Sequence, residues 1–130
     1  MILRNNLYTV IRKEETAGSL SYVIRLNPDH FIYEAHFPGE PVTPGVCILQ
    51  MAQELLALEV NENLELNKIK NAKFTAVISP DRSTELIVAF PTIEIGKEEV
   101  ACQCVISNIQ LDLVYAKLSI ICRKHERYEL

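Results

Sequence analysis

Residues 45–59 are apolar almost all round, with Val46, Ile48, Leu49, Met51, Ala52, Leu55, Leu56 and Leu58 distributed over every face of a helix. A helix of that kind has no broad face to give to water and is predicted to be buried. The rest of the chain offers strands to cover it. Before the helix, Leu20, Tyr22, Ile24 and Leu26 alternate with Ser21, Val23 and Arg25, the period of a half-buried strand. After it, segments 68–78, 84–90, 99–106 and 111–123 are rich in β-branched and apolar residues. Ser79-Pro80-Asp81, Pro91, Gly96 and Ser107-Asn108 punctuate them. One long helix with mostly antiparallel strands and no βαβ repetition gives an α+β domain, a sheet wrapped around a helix. No linker, internal repeat or low-complexity segment divides the chain, so residues 1–130 are expected to form a single domain.

The helix is entered through an unusually constrained loop, His36-Phe37-Pro38-Gly39-Glu40-Pro41-Val42-Thr43-Pro44-Gly45-Val46. Proline locks φ and glycine admits left-handed or closely approached backbone, so this stretch holds a histidine at a set place beside a helix N-terminus. Thr43 is the expected N-cap and Pro44 the first helical residue. The amides of Gly45, Val46 and Cys47 would then point outward from the positive end of the helix dipole, where a thioester or carboxyl oxygen fits. Gln50, Gln53 and Glu54 share one stripe of the helix at i, i+3, i+4 spacing, expected to face solvent, a pocket or a partner chain.

The loop resembles the His-Phe-Pro-Gly-x-Pro-x-x-Pro-Gly-Val signature of the β-hydroxyacyl-(acyl carrier protein) dehydratases of fatty-acid biosynthesis, with every fixed position present. Asn71-Ala72-Lys73-Phe74 followed by Val77-Ile78-Ser79-Pro80 resembles the strand and turn after the central helix in those enzymes. The likeness runs from Asn27 onward. The first twenty or so residues match less well, and Ala35 stands where the family usually has glycine before the histidine. The resemblance implies the hotdog fold, sheets paired edge to edge in a homodimer or higher assembly, and sites at the dimer interface.

In that family the catalytic pair is this histidine and a carboxylate fourteen positions on, which in this chain is Gln50. An amide accepts and donates hydrogen bonds but exchanges no proton near neutral pH. Three readings of Gln50 stay open. It hydrogen-bonds the departing hydroxyl or a water while His36 carries the proton traffic. Glu54 supplies the carboxylate from one turn further, roughly 6 Å along the helix. Or the chain is half of a heterodimer whose related subunit brings the acid.

The implied mechanism is syn elimination of water from a 3-hydroxyacyl thioester, with the thioester carbonyl on the Gly45 amide and the C2 proton taken by His36. Imidazole suits this because it titrates near neutrality. A lone loop histidine otherwise reads as a cap or filler; the motif around it tips the reading. Val46, Leu49 and Phe74 are the expected lining of an acyl tunnel beside the helix. The substrate would arrive on acyl carrier protein or coenzyme A, and no cofactor is expected. Lys68, Lys70, Lys73 and Arg82 form a local basic cluster, read either as a solvated strand face or as a landing patch for an acidic carrier. A non-catalytic or half-catalytic partner subunit is the alternative function and an acyl thioesterase the third.

Composition narrows the remaining classes. A net charge of −4 opposes general nucleic-acid binding, and no apolar run is long enough to span a bilayer. Cys47, Cys102, Cys104 and Cys122 lack zinc spacing, and His30 and His125 read as ordinary polar residues near strand ends, so no metal site is expected. Free thiols without a signal peptide suggest the cytoplasm. Nearly half the residues, 48%, are hydrophobic, enough for a core without covalent staples.

Overall fold

The structure, a computed structural model, describes residues 2–125. The all-round apolar segment forms α2 (Gly45–Val60), which buries Ile48, Met51, Ala52, Leu55 and Leu56 in the core. It packs on six antiparallel strands: β1 (Tyr8–Thr16), β2 (Ser19–Leu26), β3 (Leu64–Phe74), β4 (Glu85–Ile95), β5 (Glu99–Asn108) and β6 (Val114–Lys124). The spatial order is β1-β2-β4-β5-β6-β3. A single turn, α1 (Ile32–Ala35), precedes the loop that leads to α2.

Alternation fixes which face each strand gives to the helix. Tyr22, Ile24 and Leu26 of β2, Leu86, Val88 and Phe90 of β4, Val100, Cys102, Cys104 and Ile106 of β5, and Ala116, Leu118, Ile120 and Cys122 of β6 join one buried cluster with the α2 residues. This sheet laid on one central helix is the hotdog arrangement. Burial pushes the thiols of Cys102 and Cys122 up to about 12 and about 11, so both are neutral core residues. Asn61, in the left-handed conformation at φ 54°, ends α2.

Several boundaries differ from the sequence reading. β4 does not stop before Pro91 but runs through it. The pairing with β5 slips between Ala89 and Thr92, and in that bulge proline's missing N–H interrupts no ladder bond. β3 begins at Leu64 and ends at Phe74, four residues earlier at each end than expected. β6 starts at Val114 rather than Leu111. The Asn108 carboxamide accepts from the amides of Asp112 and Leu113 and donates to the Asp112 carboxylate, rolling 108–113 into a turn. β1 was not anticipated at all: its Arg12, Lys13, Glu14 and Glu15 lie on an exposed edge strand and mask its period.

Candidate active site

The loop between α1 and α2 owes its shape to local bonds. Phe37-Pro38-Gly39-Glu40 is a tight turn in which the Glu40 amide donates to the Phe37 carbonyl and the Phe37 amide to the Glu40 carbonyl, both at 2.9 Å. Pro38 supplies the fixed φ of the second turn position, and Gly39, at φ +79°, supplies the positive φ of the third. The Val42 amide then closes back onto the His36 carbonyl at 2.9 Å, and the His36 amide caps α1 on the Ile32 carbonyl. His36 is thus pinned at both its backbone groups. Its ring stacks on Phe37 with centroids 3.9 Å apart.

One ring nitrogen has a defined neighbour. Nδ1 of His36 lies 3.4 Å from the Val42 carbonyl oxygen. A carbonyl only accepts, so this contact favours the tautomer with the proton on Nδ1, leaving the Nε2 lone pair as the basic site. His36 is half-buried, and Phe37 beside it is half exposed.

The N-cap expected at Thr43 is instead Pro44, with Gly45 the first helical residue. Thr43 is buried and committed elsewhere: its hydroxyl pairs with the Tyr33 hydroxyl at 2.9 Å, and its amide donates to the Ile78 carbonyl at 2.8 Å. This clasp fastens the loop to α1 on one side and to the segment after β3 on the other. The Cys47 amide is also taken, by the Pro44 carbonyl at 3.0 Å, so of the three amides expected to face a ligand only those of Gly45 and Val46 have no backbone acceptor among the described residues. Gly45 has a packing reason as well: a Cβ there would sit 3.2 Å from Cζ of Phe74. Phe74 is therefore brought against the N-terminus of α2. Phe74 is 47% exposed and Val46, on the first turn, 72%. Leu49 is only partly buried and packs against the core.

The polar stripe of α2 is part-buried and makes hydrogen bonds within the chain, and its Gln53 and Glu54 also border a groove. Gln53 donates from Nε2 to the Leu64 carbonyl at 2.8 Å. Among the described residues Glu54 accepts four hydrogen bonds: from the Leu3 and Arg4 amides at 2.8 Å, from the Tyr8 hydroxyl at 2.9 Å and from Gln50 Nε2 at 2.9 Å. Burial and the adjacent Glu54 raise the Tyr8 pKa, which keeps that phenol a neutral donor. With both oxygens of Glu54 engaged twice, its carboxylate is part of the scaffold. Sequence reasoning missed Tyr8 and the Leu3-Arg4 amides, because nothing local to residues 3–8 signals a partner about 50 positions away.

Two recesses flank these elements. A groove of about 1360 Å³ runs along the C-terminal half of α2, lined by Glu54, Leu58, Glu62, Lys97 and Arg123 among others. A smaller one of about 340 Å³ lies between the loop, at Gly39 to Val42, and Val77, Ser79, Asp81 and Arg82. Val46, Leu49 and Phe74 line neither. Lys68, Lys70 and Lys73 are exposed along β3, whose outer edge carries no partner strand among the described residues.

The model for ApeI-like proteins, the ApeI dehydratase family, matches residues 12–107. A 3-hydroxyacyl-[acyl-carrier-protein] dehydratase FabZ from Lactiplantibacillus plantarum is 28% identical over 120 residues, covering 83% of this chain and 82% of the relative. The dehydratase heterocomplex ApeI:P from Xenorhabdus doucetiae superposes with a TM-score of 0.68 at 17% identity, covering 88% of this chain and 96% of that one. A hypothetical thioesterase from Streptococcus pneumoniae, solved with coenzyme A, superposes at 0.63 with 6% identity over 94% of this chain and 88% of that one. At such identities the two structures establish a shared fold.

Proposed function

This chain belongs to the ApeI-like dehydratase family, and from that premise we propose that it removes water from 3-hydroxyacyl thioesters. The observation that carries the reading is the turn-locked loop. It holds His36 by both backbone groups, sets Nδ1 against the Val42 carbonyl and leads straight into the N-terminus of α2.

In this reading the thioester carbonyl accepts a hydrogen bond from the Gly45 amide, which stabilises enolate-like charge as it develops. His36 Nε2 takes the C2 proton, the C2–H electron pair becomes the C2–C3 double bond, and the C3–O bond breaks. The departing oxygen leaves as water on receiving a proton from the imidazolium. Gln50 hydrogen-bonds that oxygen without exchanging a proton. The acyl chain runs past Val46, Leu49 and Phe74. Four engaged donors keep Glu54 from serving as the replacement acid.

The outer edge of β3, which carries no partner strand among the described residues, favours a second copy, or a related subunit, added there to continue the sheet. Its exposed Leu66 and Ile69 would be covered in such a pairing. Lys68, Lys70 and Lys73, with Arg82, would meet an acidic acyl carrier or the phosphates of coenzyme A. The setting proposed is cytoplasmic lipid or fatty-acid biosynthesis.

Gln50 also favours a second reading, a partner subunit that completes a neighbour's site in a heterodimer. The deciding experiment is water loss from a 3-hydroxyacyl-carrier thioester by the purified chain, alongside His36→Ala. Activity abolished by that substitution supports a self-sufficient dehydratase. A folded, acyl-binding chain that is inactive alone but raises the activity of a carboxylate-bearing homologue supports the partner reading.

A further inference from the structure

The segment before residue 12 lies outside the part of the chain that the family model matches, yet it is tied to Glu54, whose carboxylate in turn accepts from Gln50 at the helix position where the family places its acid. Residues 3–8 fold into one tight turn. The Leu3 carbonyl accepts from the amides of Asn6 at 3.0 Å and Leu7 at 2.7 Å, and Asn5 takes a φ of 66°. Leu3, Leu7 and Tyr8 are buried in the common core. Two successive amides, Leu3 and Arg4, point at one carboxylate, and the Tyr8 hydroxyl joins them. The fourth donor on that carboxylate is Gln50 Nε2.

The chemistry of this fourth bond is directional. A carboxylate only accepts, and of the two ends of a carboxamide only the nitrogen donates. Glu54 therefore favours one of the two flip states of the Gln50 amide, since the other would set a carbonyl oxygen against an anionic oxygen. A neutral residue one turn away could have packed against Gln50 without making this choice. The N-terminal turn in its place fixes Glu54, with both oxygens held from the far side.

We infer that Glu54, held by the Leu3–Arg4 amides and Tyr8, is a positioning residue that sets the orientation of the Gln50 amide toward substrate. This rests on the proposed role of Gln50 at the departing oxygen. A consequence separates it from a plain structural clasp. Gln50→Glu, which restores the family's usual carboxylate, would put a second carboxylate about 2.9 Å from Glu54. Two carboxylates that close cannot both ionise, and one must hold a proton. The paired change Gln50→Glu with Glu54→Gln transposes acid and amide and restores a donor to face the carboxylate.

The test is a double-mutant cycle, read by the pH–rate profile and by the side-chain amide resonances of Gln50 in ¹⁵N-labelled protein. Those resonances are identified by their loss in Gln50→Glu. Glu54→Gln should lower kcat about 10- to 100-fold with little change in KM, the scale of a displaced reacting group, and should move the Gln50 resonances. Tyr8→Phe should do both to a smaller degree. Tyr22→Phe removes an equivalent phenol bond to Glu59 on the same helix, and should do neither. Gln50→Glu alone should gain a titrating limb displaced above the ordinary carboxylate range, and the transposed double variant should return that limb to the ordinary range. Additive effects, or Gln50 resonances indifferent to Glu54→Gln, overturn the positioning role. The resonances report whether or not the chain dehydrates anything, so an inactive wild type with responsive resonances condemns the proposed reaction and leaves the clasp standing. If the resonances respond to Glu54→Gln but ignore a non-reactive 3-hydroxyacyl pantetheine amide that perturbs His36, Gln50 does not meet substrate and the inference fails.

Discussion

The loop at 36–44 and the turn at 3–8 both bear on the candidate site, and they are built in opposite ways. The loop is held mainly by its own residues: three prolines, Gly39 in positive φ, and bonds that reach no further than six positions, with Thr43 fastened to Tyr33 and Ile78. The turn has short-range bonds too, but it is fastened to the rest of the chain by distant partners: the Glu54 carboxylate about 50 positions away, and Asn27, which meets the Asn6 and Leu7 carbonyls. A locally determined element keeps its shape when a side chain it displays is removed, whereas an element fastened by distant partners loosens when one of them is lost.

The largest effect expected from this contrast lies in the loop and is purely chemical. His36→Ala should lower dehydration about 10²- to 10⁴-fold, the usual cost of removing a positioned base. Because the backbone groups of His36 make the loop's bonds and its ring is only half-buried, the unfolding free energy should stay within about 0.5 kcal/mol of wild type. Urea titration of both proteins checks this, and a large stability loss would show that the ring itself supports the loop.

Glu54→Ala, unlike His36→Ala, should cost stability. It leaves the Leu3 and Arg4 amides and the Tyr8 hydroxyl without their acceptor, in a region where Leu3, Leu7 and Tyr8 are buried. One stranded buried donor costs about 1–3 kcal/mol, and water reaches some of this part-buried site, so a total loss of about 2–4 kcal/mol is expected. Hydrogen exchange at Leu3, Arg4 and Leu7 should rise with it. A loss below about 1 kcal/mol with protection intact would mean that the apolar contacts of Leu3 and Leu7 hold the turn by themselves.

Gly39→Ala probes the loop's own conformational lock. No heavy atom lies within 4 Å of where its Cβ would be, so the cost is backbone strain alone. At φ +79° that strain is about 1–2 kcal/mol for an L-residue. Gly39→Asn, which tolerates left-handed backbone better, should cost less. Equal losses for the two variants would point to a steric cause and refute the turn argument.

The same contrast decides what was legible in the sequence. The buried helix, the alternating strands and the motif loop could be read because each is written in adjacent residues: the all-round apolar run at 45–59, the alternation at 20–26, the fixed positions at 36–46. Thr43 misled because its hydroxyl answers to Tyr33, ten residues back and buried with it, instead of to the helix amides two and three positions ahead. Pro91 misled because a bulge can absorb the missing donor without ending the strand. The Gln50–Glu54 spacing was visible, but its meaning depended on Leu3, Arg4 and Tyr8. Only the folded sheet brings those residues to that side of α2.

A second glutamate on α2 allows the clasp to be compared with an ion pair of ordinary strength. Glu59 accepts from the Tyr22 hydroxyl at 2.7 Å and pairs with Lys13 of β1 at 2.8 Å. Burial alone would push its carboxyl up, but the hydrogen bonds from Lys13 and Tyr22 outweigh burial and hold it below the usual carboxylate range. A group whose pKa is depressed by folding adds stability above its unfolded value, and that stability drains away as pH falls through the folded value. Lys13→Met should therefore lower Tm modestly at pH 7, and the gap from wild type should close as pH falls below the ordinary carboxylate range. Lys13 is exposed, so salt should shrink the gap at neutral pH as well. The Glu54→Ala deficit should resist salt, because three of its four donors are neutral groups of the N-terminal turn. A Glu54→Ala loss that fades with salt as fast as the Lys13→Met loss would reduce the clasp to surface electrostatics and erase the distinction between the two glutamates.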